Sequence, residues 1–225
     1  MKLAIRKPLR PTPAERARIA AIFDRFAAAT AEPRTELGYS SPYTLLVAVV
    51  LSAQATDVSV NKATARLYQV ADTPQAMIAL DEAGLTPFIA SIGLFRTKAK
   101  NVIALSRLLI ERHGGQVPLD RVALQALPGV GRKTASVVLN ELGVEPAIAV
   151  DTHVFRVAHR LGLSKGKTPE QVETDLMAVV PPARLTRAHH WLILHGRYVC
   201  VARKPKCGAC LVADLCPSRE LFMGA

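Results

Sequence analysis

The sequence predicts an all-α protein, and three observations lead to that prediction. Apolar residues recur with helical spacing, most clearly in the stretches 102–109 and 154–161. Segments that alternate apolar and polar residues are scarce, and proline and glycine interrupt the helical stretches at short intervals. With 225 residues, 50% of them hydrophobic, the chain can bury a substantial core and is expected to divide into two lobes.

The first thirty residues are rich in arginine, as organellar transit peptides are. Glu15 and Asp24 are acidic, however, and Ile22, Phe23 and Phe26 have the spacing of one helical face. We therefore expect a folded N-terminal helix. The apolar run that follows, at 45–51, is too short to span a bilayer, so no association with a membrane is expected.

Residues 127–131, Leu-Pro-Gly-Val-Gly, predict a tight hairpin between two helices. Pro128 cannot continue a preceding helix, and the two glycines permit positive φ angles. Asp120 is a suitable N-cap for a short helix before the hairpin, and helical periodicity resumes at about Arg132. The hairpin is expected to direct free backbone N–H groups outward at a helix N-terminus, an arrangement that suits the oxygen of a phosphate.

Lys133 lies in the first turn of the second helix, where a cation opposes the helix dipole. The dipole, together with partial burial, would disfavour the charged form of the amine. A neutral amine is a nucleophile that can form a Schiff base. The local sequence leaves a second role equally open, in which Lys133 only binds a phosphate through a salt bridge.

Asp151 follows the apolar run 147–150 and precedes a predicted helix that begins near Thr152. Its position is typical of an N-cap. A carboxylate at the end of a buried segment can also accept protons from an amine nucleophile. The two roles are compatible.

The four cysteines form one cluster near the C-terminus, with the spacing C-x6-C-x2-C-x5-C. They are Cys200, Cys207, Cys210 and Cys216. No cysteine lies upstream and no secretory signal is recognisable, so disulfides explain the cluster poorly. Four thiolates this close indicate a tetrahedral sulfur site, which holds either zinc or an iron–sulfur cluster. The spacing is not that of two CxxC knuckles, which argues against a zinc ribbon.

The net charge of +11 is concentrated at the two ends of the chain. Residues 1–34 carry 8 basic and 3 acidic side chains, residues 35–145 carry 10 and 9, and residues 146–225 carry 11 and 6. From Met177 to Ala213 six arginines and lysines occur without an acidic residue. Because ordinary surfaces intersperse both signs, this excess predicts a polyanionic partner such as nucleic acid.

The hairpin L-P-G-V-G-R-K-T-A, the V-D-T-H at 150–153 and the cysteine spacing together resemble the endonuclease III family of DNA base-excision-repair glycosylases. The resemblance covers most of the chain. It implies a six-helix barrel domain at 35–145 that contains the helix-hairpin-helix, and an iron–sulfur cluster domain formed by 1–34 plus 146–225. The active site is then expected in the cleft between these two domains.

By this resemblance Lys133 is the nucleophile that attacks C1′ of the damaged nucleotide, and Asp151 is its acid/base partner. Related adenine-mismatch glycosylases lack the lysine and cut only the glycosidic bond. Lys133 therefore implies a glycosylase that also cleaves the strand 3′ to the abasic site by β-elimination. The family resemblance implies oxidised pyrimidines as its substrates. The four cysteines are expected to bind one [4Fe–4S] cluster, with zinc as the alternative.

An enzyme that extrudes a base must fill the gap it leaves, and apolar wedges or polar plugs are the usual fillers. Gln54 matches the family's inserting glutamine and Leu94 its wedge leucine. Without the resemblance, Gln54 would be a helix-surface residue and Leu94 an ordinary core leucine. The other expected DNA contacts are in the hairpin, after Asp151 and in the cysteine loop: Gly129, Val130, Gly131, His153, Arg203, Lys204 and Lys206.

A weak internal similarity links 93–99 to 129–135, with Gly, Arg and Ala at matching positions. It is either coincidence between two helix-entry loops or a degenerate second hairpin. If it is a second hairpin, Leu94 lies exposed at the tip of a loop.

Three functions stay open: a bifunctional glycosylase and lyase, a non-catalytic DNA-binding module, and a monofunctional glycosylase, which Lys133 disfavours. The expected partner is double-stranded DNA that contains damaged bases or abasic sites. We expect a monomer in the bacterial cytoplasm, associated with the nucleoid. The exact lesion preference within the oxidised pyrimidines is not predicted, because pocket residues are dispersed over the chain.

Overall fold

The computed structural model describes residues 8–223. This part of the chain contains helices, turns and loops but no strand, which confirms the all-α prediction. The α-helices are α1 (Pro13–Ala29), α2 (Pro42–Ser52), α3 (Asp57–Leu67), α4 (Pro74–Ile89), α5 (Phe95–His113), α6 (Arg121–Gln125), α7 (Arg132–Glu141), α8 (Thr152–Arg160), α9 (Pro169–Val179), α10 (Leu185–Tyr198) and α11 (Glu220–Met223). Short 3-10 helices lie at Pro182–Arg184, Cys207–Ala209 and Ala213–Leu215. Within the described residues, no helix has the length and apolar character needed to cross a membrane.

The chain divides into two compact units. One is the central unit, Thr35–Glu145, and the other is the terminal unit, which comprises the residues up to Arg34 and those from Pro146 onward. The predicted iron–sulfur domain includes residues 1–7 and 224–225, which lie outside the described residues. Each unit has its own hydrophobic core.

The central unit is built around α2, in which every residue from Tyr43 to Leu51 is buried. A helix that is apolar on all sides belongs at the middle of a core, and α3, α5 and α7 pack against it. The hydroxyl groups of Tyr43 and Ser106 share a hydrogen bond of 2.7 Å inside this core. Helix α4 is interrupted at Asp81, whose φ is 55°. The Asp81 carboxylate accepts hydrogen bonds from the N–H groups of Ala83 and Gly84 and thereby caps the second segment of α4.

The terminal unit combines α1 with α8, α9 and α10. Thr12 and Glu15 form a capping box at the start of α1, and Ile22, Phe23 and Phe26 are buried. The expected N-terminal helix is therefore confirmed. The indole N–H of Trp191 in α10 donates to the carbonyl oxygen of Thr30 at 2.8 Å, which fixes the end of α1.

Candidate active site and cysteine loop

The hairpin between α6 and α7 has the predicted local structure. Asp120 Oδ1 accepts a hydrogen bond from the N–H of Ala123 at 2.8 Å, and α7 begins at Arg132. Gly129 has a φ of 78°, and a Cβ at this position would lie 3.0 Å from the side chain of Asn101 in α5. Both the dihedral angle and the close approach require glycine. The N-cap residue Gly131 has no side chain to cap α7, which suits this helix N-terminus to an external acceptor.

Val130 does not provide the free donor that was expected of the hairpin. Its N–H donates to the carbonyl oxygen of Leu127 at 3.1 Å and closes the turn. Its side chain is buried and belongs to the core of the central unit. The expectation that the hairpin directs free N–H groups outward is therefore wrong at Val130, because the turn itself uses this donor.

Lys133 is the second residue of α7 and is exposed. The expected partial burial is wrong, because the first turn of α7 directs this side chain away from the core that Ala135 and Val138 enter. Within residues 8–223 the amine makes no hydrogen bond and no ion pair. The amine is therefore not held by a carboxylate of the central unit.

Asp151 is half-buried at the N-terminus of α8 in the terminal unit. Its Oδ1 accepts a hydrogen bond from the N–H of Val154 at 2.8 Å, which confirms the predicted N-cap. Among the described residues, Oδ2 has no hydrogen-bond partner. One oxygen therefore holds the carboxylate in place while the other can accept a proton.

His153 is the second residue of α8 and contacts Arg156 in the next turn. His153 Nδ1 is 3.2 Å from Nη2 of Arg156. A Cβ on Gly196 of α10 would come within 2.9 Å of His153 Cβ, so glycine allows α8 and α10 to approach closely here. His153 lies two residues after Asp151, and Arg156 orients its ring.

Gln54 and Leu94 lie in two neighbouring turns of the central unit. Both have positive φ angles, 55° and 60°, which are uncommon for residues other than glycine. Gln54 is exposed in the turn after α2, and Leu94 is 58% exposed at the N-cap of α5. A Cβ on Gly93 would lie 3.6 Å from the carbonyl oxygen of Gln54, so the turns are adjacent. The interpretations as a helix-surface glutamine and a core leucine are therefore wrong.

All four cysteines line one cavity in the terminal unit. Leu161, Val199, Pro205 and Phe222 are among the other lining residues. Burial raises the pKa of the thiols of Cys210 and Cys216, so metal coordination is needed to hold them as thiolates at neutral pH.

The four cysteines and their surroundings fit an iron–sulfur cluster. All four line a shared cavity with apolar neighbours such as Leu161, Val199 and Phe222. Thiolates are the ligands of iron–sulfur clusters, and an apolar lining limits their contact with water.

Two arginines of α8 hold the first half of the cysteine loop. Arg156 donates to the carbonyl oxygens of Gly196 and Cys200 at 2.8 and 2.9 Å. Arg160 donates to those of Val201 and Ala202 at 2.8 and 2.9 Å. The helix capped by Asp151 therefore also fixes the loop that begins at Cys200.

Two arginines of α1 hold the second half of the loop. Arg18 donates to the carbonyl oxygens of Leu161 and Leu215 at 2.8 and 2.9 Å. Arg25 donates to the carbonyl oxygen of Leu211 and forms a bidentate pair with Asp214. The sequence offers no local signal for these contacts, which join residues more than 140 positions apart.

Five of the six basic residues of the acid-free stretch, all except Arg197, separate into two groups. Arg184 pairs with Asp24 and Arg187 with Glu32, so acidic residues of the N-terminal segment neutralise them. The loop cations are exposed, and among the described residues their side chains have no partner: Arg203, Lys204 and Lys206. The unpaired positive charge is therefore concentrated in the cysteine loop rather than along the whole stretch.

Comparisons with known proteins agree with this arrangement. Residues 47–182 match the HhH-GPD superfamily of base excision DNA repair proteins, and residues 200–216 match the iron-sulfur binding domain of endonuclease III. Endonuclease III of Escherichia coli strain K12 is 60% identical over 188 residues, which are 84% of this chain and 89% of the relative.

Two solved structures are similar over most of their length. A non-covalent endonuclease III–DNA complex has a TM-score of 0.87 and 43% identity, and covers 93% of this chain and 99% of its own. A trapped endonuclease III–DNA covalent intermediate has a TM-score of 0.85 and 43% identity, with coverages of 92% and 98%.

Proposed function

Because this chain belongs to the endonuclease III family of base-excision DNA-repair proteins, we propose that Lys133 is the nucleophile with which it removes oxidised pyrimidines from duplex DNA. As a member of that family it is a bifunctional DNA glycosylase and AP lyase, it acts on damaged double-stranded DNA, and it binds one [4Fe–4S] cluster. We further propose that it acts as a monomer at the bacterial nucleoid.

The main support for this proposal is that the Lys133 amine is exposed and has no partner among the described residues. The Lys133 side chain lies in the first turn of α7, directly after the hairpin. A lysine that only neutralised local charge would be expected to pair with a carboxylate, as several arginines of this chain do. An unpaired amine can instead attack an electrophilic carbon.

Asp151 supplies the proton acceptor in this proposal. Its Oδ1 is committed to the cap of α8, while Oδ2 has no partner within residues 8–223. A carboxylate held in this way can take a proton from the Lys133 amine and later return it.

The covalent chemistry follows from an amine nucleophile. Lys133 Nζ forms a bond to C1′ as the bond from C1′ to the damaged base breaks. The base leaves with the bonding electron pair and is protonated by water, and Asp151 accepts the amine proton. Asp151 then returns that proton to O4′ as the sugar ring opens, which gives a protonated imine between Lys133 and C1′. Loss of a proton from C2′ then expels the 3′ phosphate and breaks the strand by β-elimination.

The two strained turns provide the groups that replace the extruded base. Leu94 is large, apolar and exposed, and Gln54 adds an exposed amide in the adjacent turn. An apolar wedge inserted between bases and a polar group facing the opposite strand are usual devices of enzymes that flip a base. The positive φ angles direct both side chains outward.

The phosphate contacts in this proposal come from the hairpin and the cysteine loop. The N–H groups at the start of α7 have no side-chain cap, and Gly129 and Gly131 leave the backbone uncovered. Arg203, Lys204 and Lys206 supply exposed positive charge in the loop. The cluster bound by the four cysteines supplies a covalent frame that holds this loop in shape.

A borohydride experiment tests the role of Lys133. The protein is mixed with duplex DNA that contains one abasic site, and sodium borohydride reduces any imine to a stable amine. We expect covalent complex with the parent protein and with Lys62→Gln, since Lys62 is an exposed lysine on α3 of the same unit. We expect none with Lys133→Gln, although its binding to abasic DNA should persist.

The outcome also separates the alternative functions. A non-catalytic DNA-binding module would form no covalent complex with any variant, and a monofunctional glycosylase would release the base without forming one. Lesion preference is tested with a panel of duplexes that carry oxidised pyrimidines, oxidised purines or mismatches. Faster release of purines than of oxidised pyrimidines would contradict the proposed substrate class.

A further inference from the structure

Phe222 lies beside the cysteine cavity at the C-terminal end of the described chain. It lines the same cavity as the four cysteines. Its neighbours in α11 have different surroundings, since Leu221 is 75% exposed and Met223 is 52% exposed, whereas Phe222 is partly buried. The side chain of Phe222 is therefore directed at the cavity, whereas those of Leu221 and Met223 do not line it.

The ring of Phe222 stacks on Arg160. The guanidinium carbon of Arg160 lies 4.3 Å from the centre of the ring, within the range of a cation–π contact. The same guanidinium donates to the carbonyl oxygens of Val201 and Ala202, and its Nη1 lies 3.5 Å from Cys200 Sγ. Arg160 therefore joins the first half of the cysteine loop to the aromatic ring.

The segment between the last cysteine and Phe222 is tied back by successive turns. The N–H of Arg219 donates to the carbonyl oxygen of Cys216 at 3.2 Å, and the N–H of Phe222 donates to that of Arg219 at 3.0 Å. These hydrogen bonds fold the segment back after Cys216. Cys200, Arg160, Phe222 and Cys216 thus form a continuous chain of contacts around the cavity.

We propose that Phe222 is a cap on the iron–sulfur site, held closed by its stacking on Arg160, and that it slows the access of water, chelators and oxidants to the cluster. A planar apolar ring over the cavity excludes water, and solvent exposure is one of the properties that control such clusters. This inference depends on iron–sulfur binding and is independent of the chemistry proposed for Lys133.

The test measures the loss of cluster from the intact holoprotein. An excess of a ferrous-iron chelator is added, and the decay of the visible absorbance of the cluster is followed. We expect Phe222→Ala to lose its cluster about five-fold faster than the parent, the factor that a cation–π contact of intermediate strength represents. Leu221→Ala is the matched control, because it removes an exposed neighbour in the same helix, and it should decay at the parental rate.

Two further variants separate the ring from general packing. Phe222→Tyr keeps an aromatic face over Arg160 and should decay as slowly as the parent. Phe222→Leu keeps an apolar side chain without the aromatic face and should decay faster than the parent. Parental decay in Phe222→Ala, or equally fast decay in Leu221→Ala, would overturn the proposal, and parental decay in Phe222→Leu would overturn the role of the stacking.

A second readout distinguishes capping from unfolding and from catalysis. Freshly purified Phe222→Ala should have parental cluster content, a parental melting temperature and parental imine trapping with abasic DNA. A melting temperature lowered in proportion to the decay rate would show that Phe222 stabilises the fold rather than shields the cluster. Absence of trapping in the parent would refute the Lys133 proposal without bearing on the cap.

Discussion

The carboxylate of Asp151 accepts a hydrogen bond from the backbone N–H of Val154 at 2.8 Å, so the candidate proton acceptor is also the N-cap of α8. The same helix carries Arg156 and Arg160, which bind the backbone of the cysteine loop. One short rigid element therefore positions both the acid/base group and the loop with unpaired positive charge. A disturbance of the cysteine loop can reach Asp151 through this helix.

The two roles of Asp151 can be separated by substitution. Asparagine also caps helices well, so Asp151→Asn should keep the melting temperature close to that of the parent. Its amide cannot act as a base, and the rate of imine formation in single-turnover trapping should fall by about 100-fold or more. Asp151→Ala should lose the cap as well, and its free energy of unfolding should fall by about 1 kcal/mol. Equal rates of trapping in Asp151→Asn and the parent would show that Asp151 is only a cap.

Substitution by alanine should lower the free energy of unfolding at Gly129 but not at Gly131. Gly129→Ala places a side chain at a φ of 78° and 3.0 Å from Asn101, and we expect it to lower the free energy of unfolding by more than about 1 kcal/mol. Gly131 has a φ of −84°, and a Cβ there meets no atom within 4 Å. Gly131→Ala should therefore leave stability within about 0.5 kcal/mol of the parent in urea denaturation. Equal losses in the two variants would contradict the structure of the turn.

The division of basic residues into paired and unpaired groups predicts the salt dependence of DNA binding. Each phosphate contact contributes about 0.9 to the slope of log K against log salt concentration. Neutralising Arg203, Lys204 or Lys206 with glutamine should lower the magnitude of that slope by about this amount. Arg184→Gln and Arg187→Gln should leave it unchanged, since Asp24 and Glu32 already neutralise these two residues. Equal effects at all five positions would indicate that the ion pairs open in the DNA complex.

The Arg25–Asp214 pair predicts that the stability of the protein falls as the pH is lowered through the Asp214 pKa. The hydrogen bond from Arg25 holds the pKa of the Asp214 carboxyl below its ordinary value of 3.8. A group whose pKa is depressed by folding stabilises the protein above its unfolded pKa, and that stabilisation is lost as the pH falls through the folded pKa. NMR titration should therefore show an Asp214 pKa below the ordinary value in the parent and near it in Arg25→Gln. An unchanged Asp214 pKa in this variant would show that another group causes the shift.

Local sequence was sufficient to predict the elements whose causes are local. Asp120 and Asp151 cap helices where the sequence predicted, and α7 begins at Arg132. These features are determined by residues three or four positions apart, so the local sequence is enough to predict them. Helical periodicity predicted the fold class for the same reason.

The features that sequence reasoning missed depend on distant residues. Arg184 and Arg187 lie in a stretch without acidic residues, and their partners, Asp24 and Glu32, are more than 150 positions away in the sequence. The arginines that hold the cysteine loop and the stacking of Phe222 on Arg160 are contacts of the same kind. A single sequence does not reveal which side chains meet after folding.

Gln54 and Leu94 are an intermediate case. Only the family resemblance singled them out, because composition and spacing favoured ordinary helix-surface and core roles. Their positive φ angles and exposure are tertiary properties of two adjacent turns. Strained residues of this kind often lie at functional sites, and here they coincide with the positions expected to insert into DNA.

The role of Lys133 as the nucleophile is tested by identifying the residue that becomes bonded to DNA. The parent protein is trapped by borohydride on duplex DNA with one abasic site, digested with a protease and mapped by mass spectrometry. We predict that the deoxyribose remnant is attached to Lys133, in the peptide that includes the start of α7. Attachment to any other lysine, or to an N-terminal amine, with Lys133 unmodified would show that Lys133 is not the nucleophile.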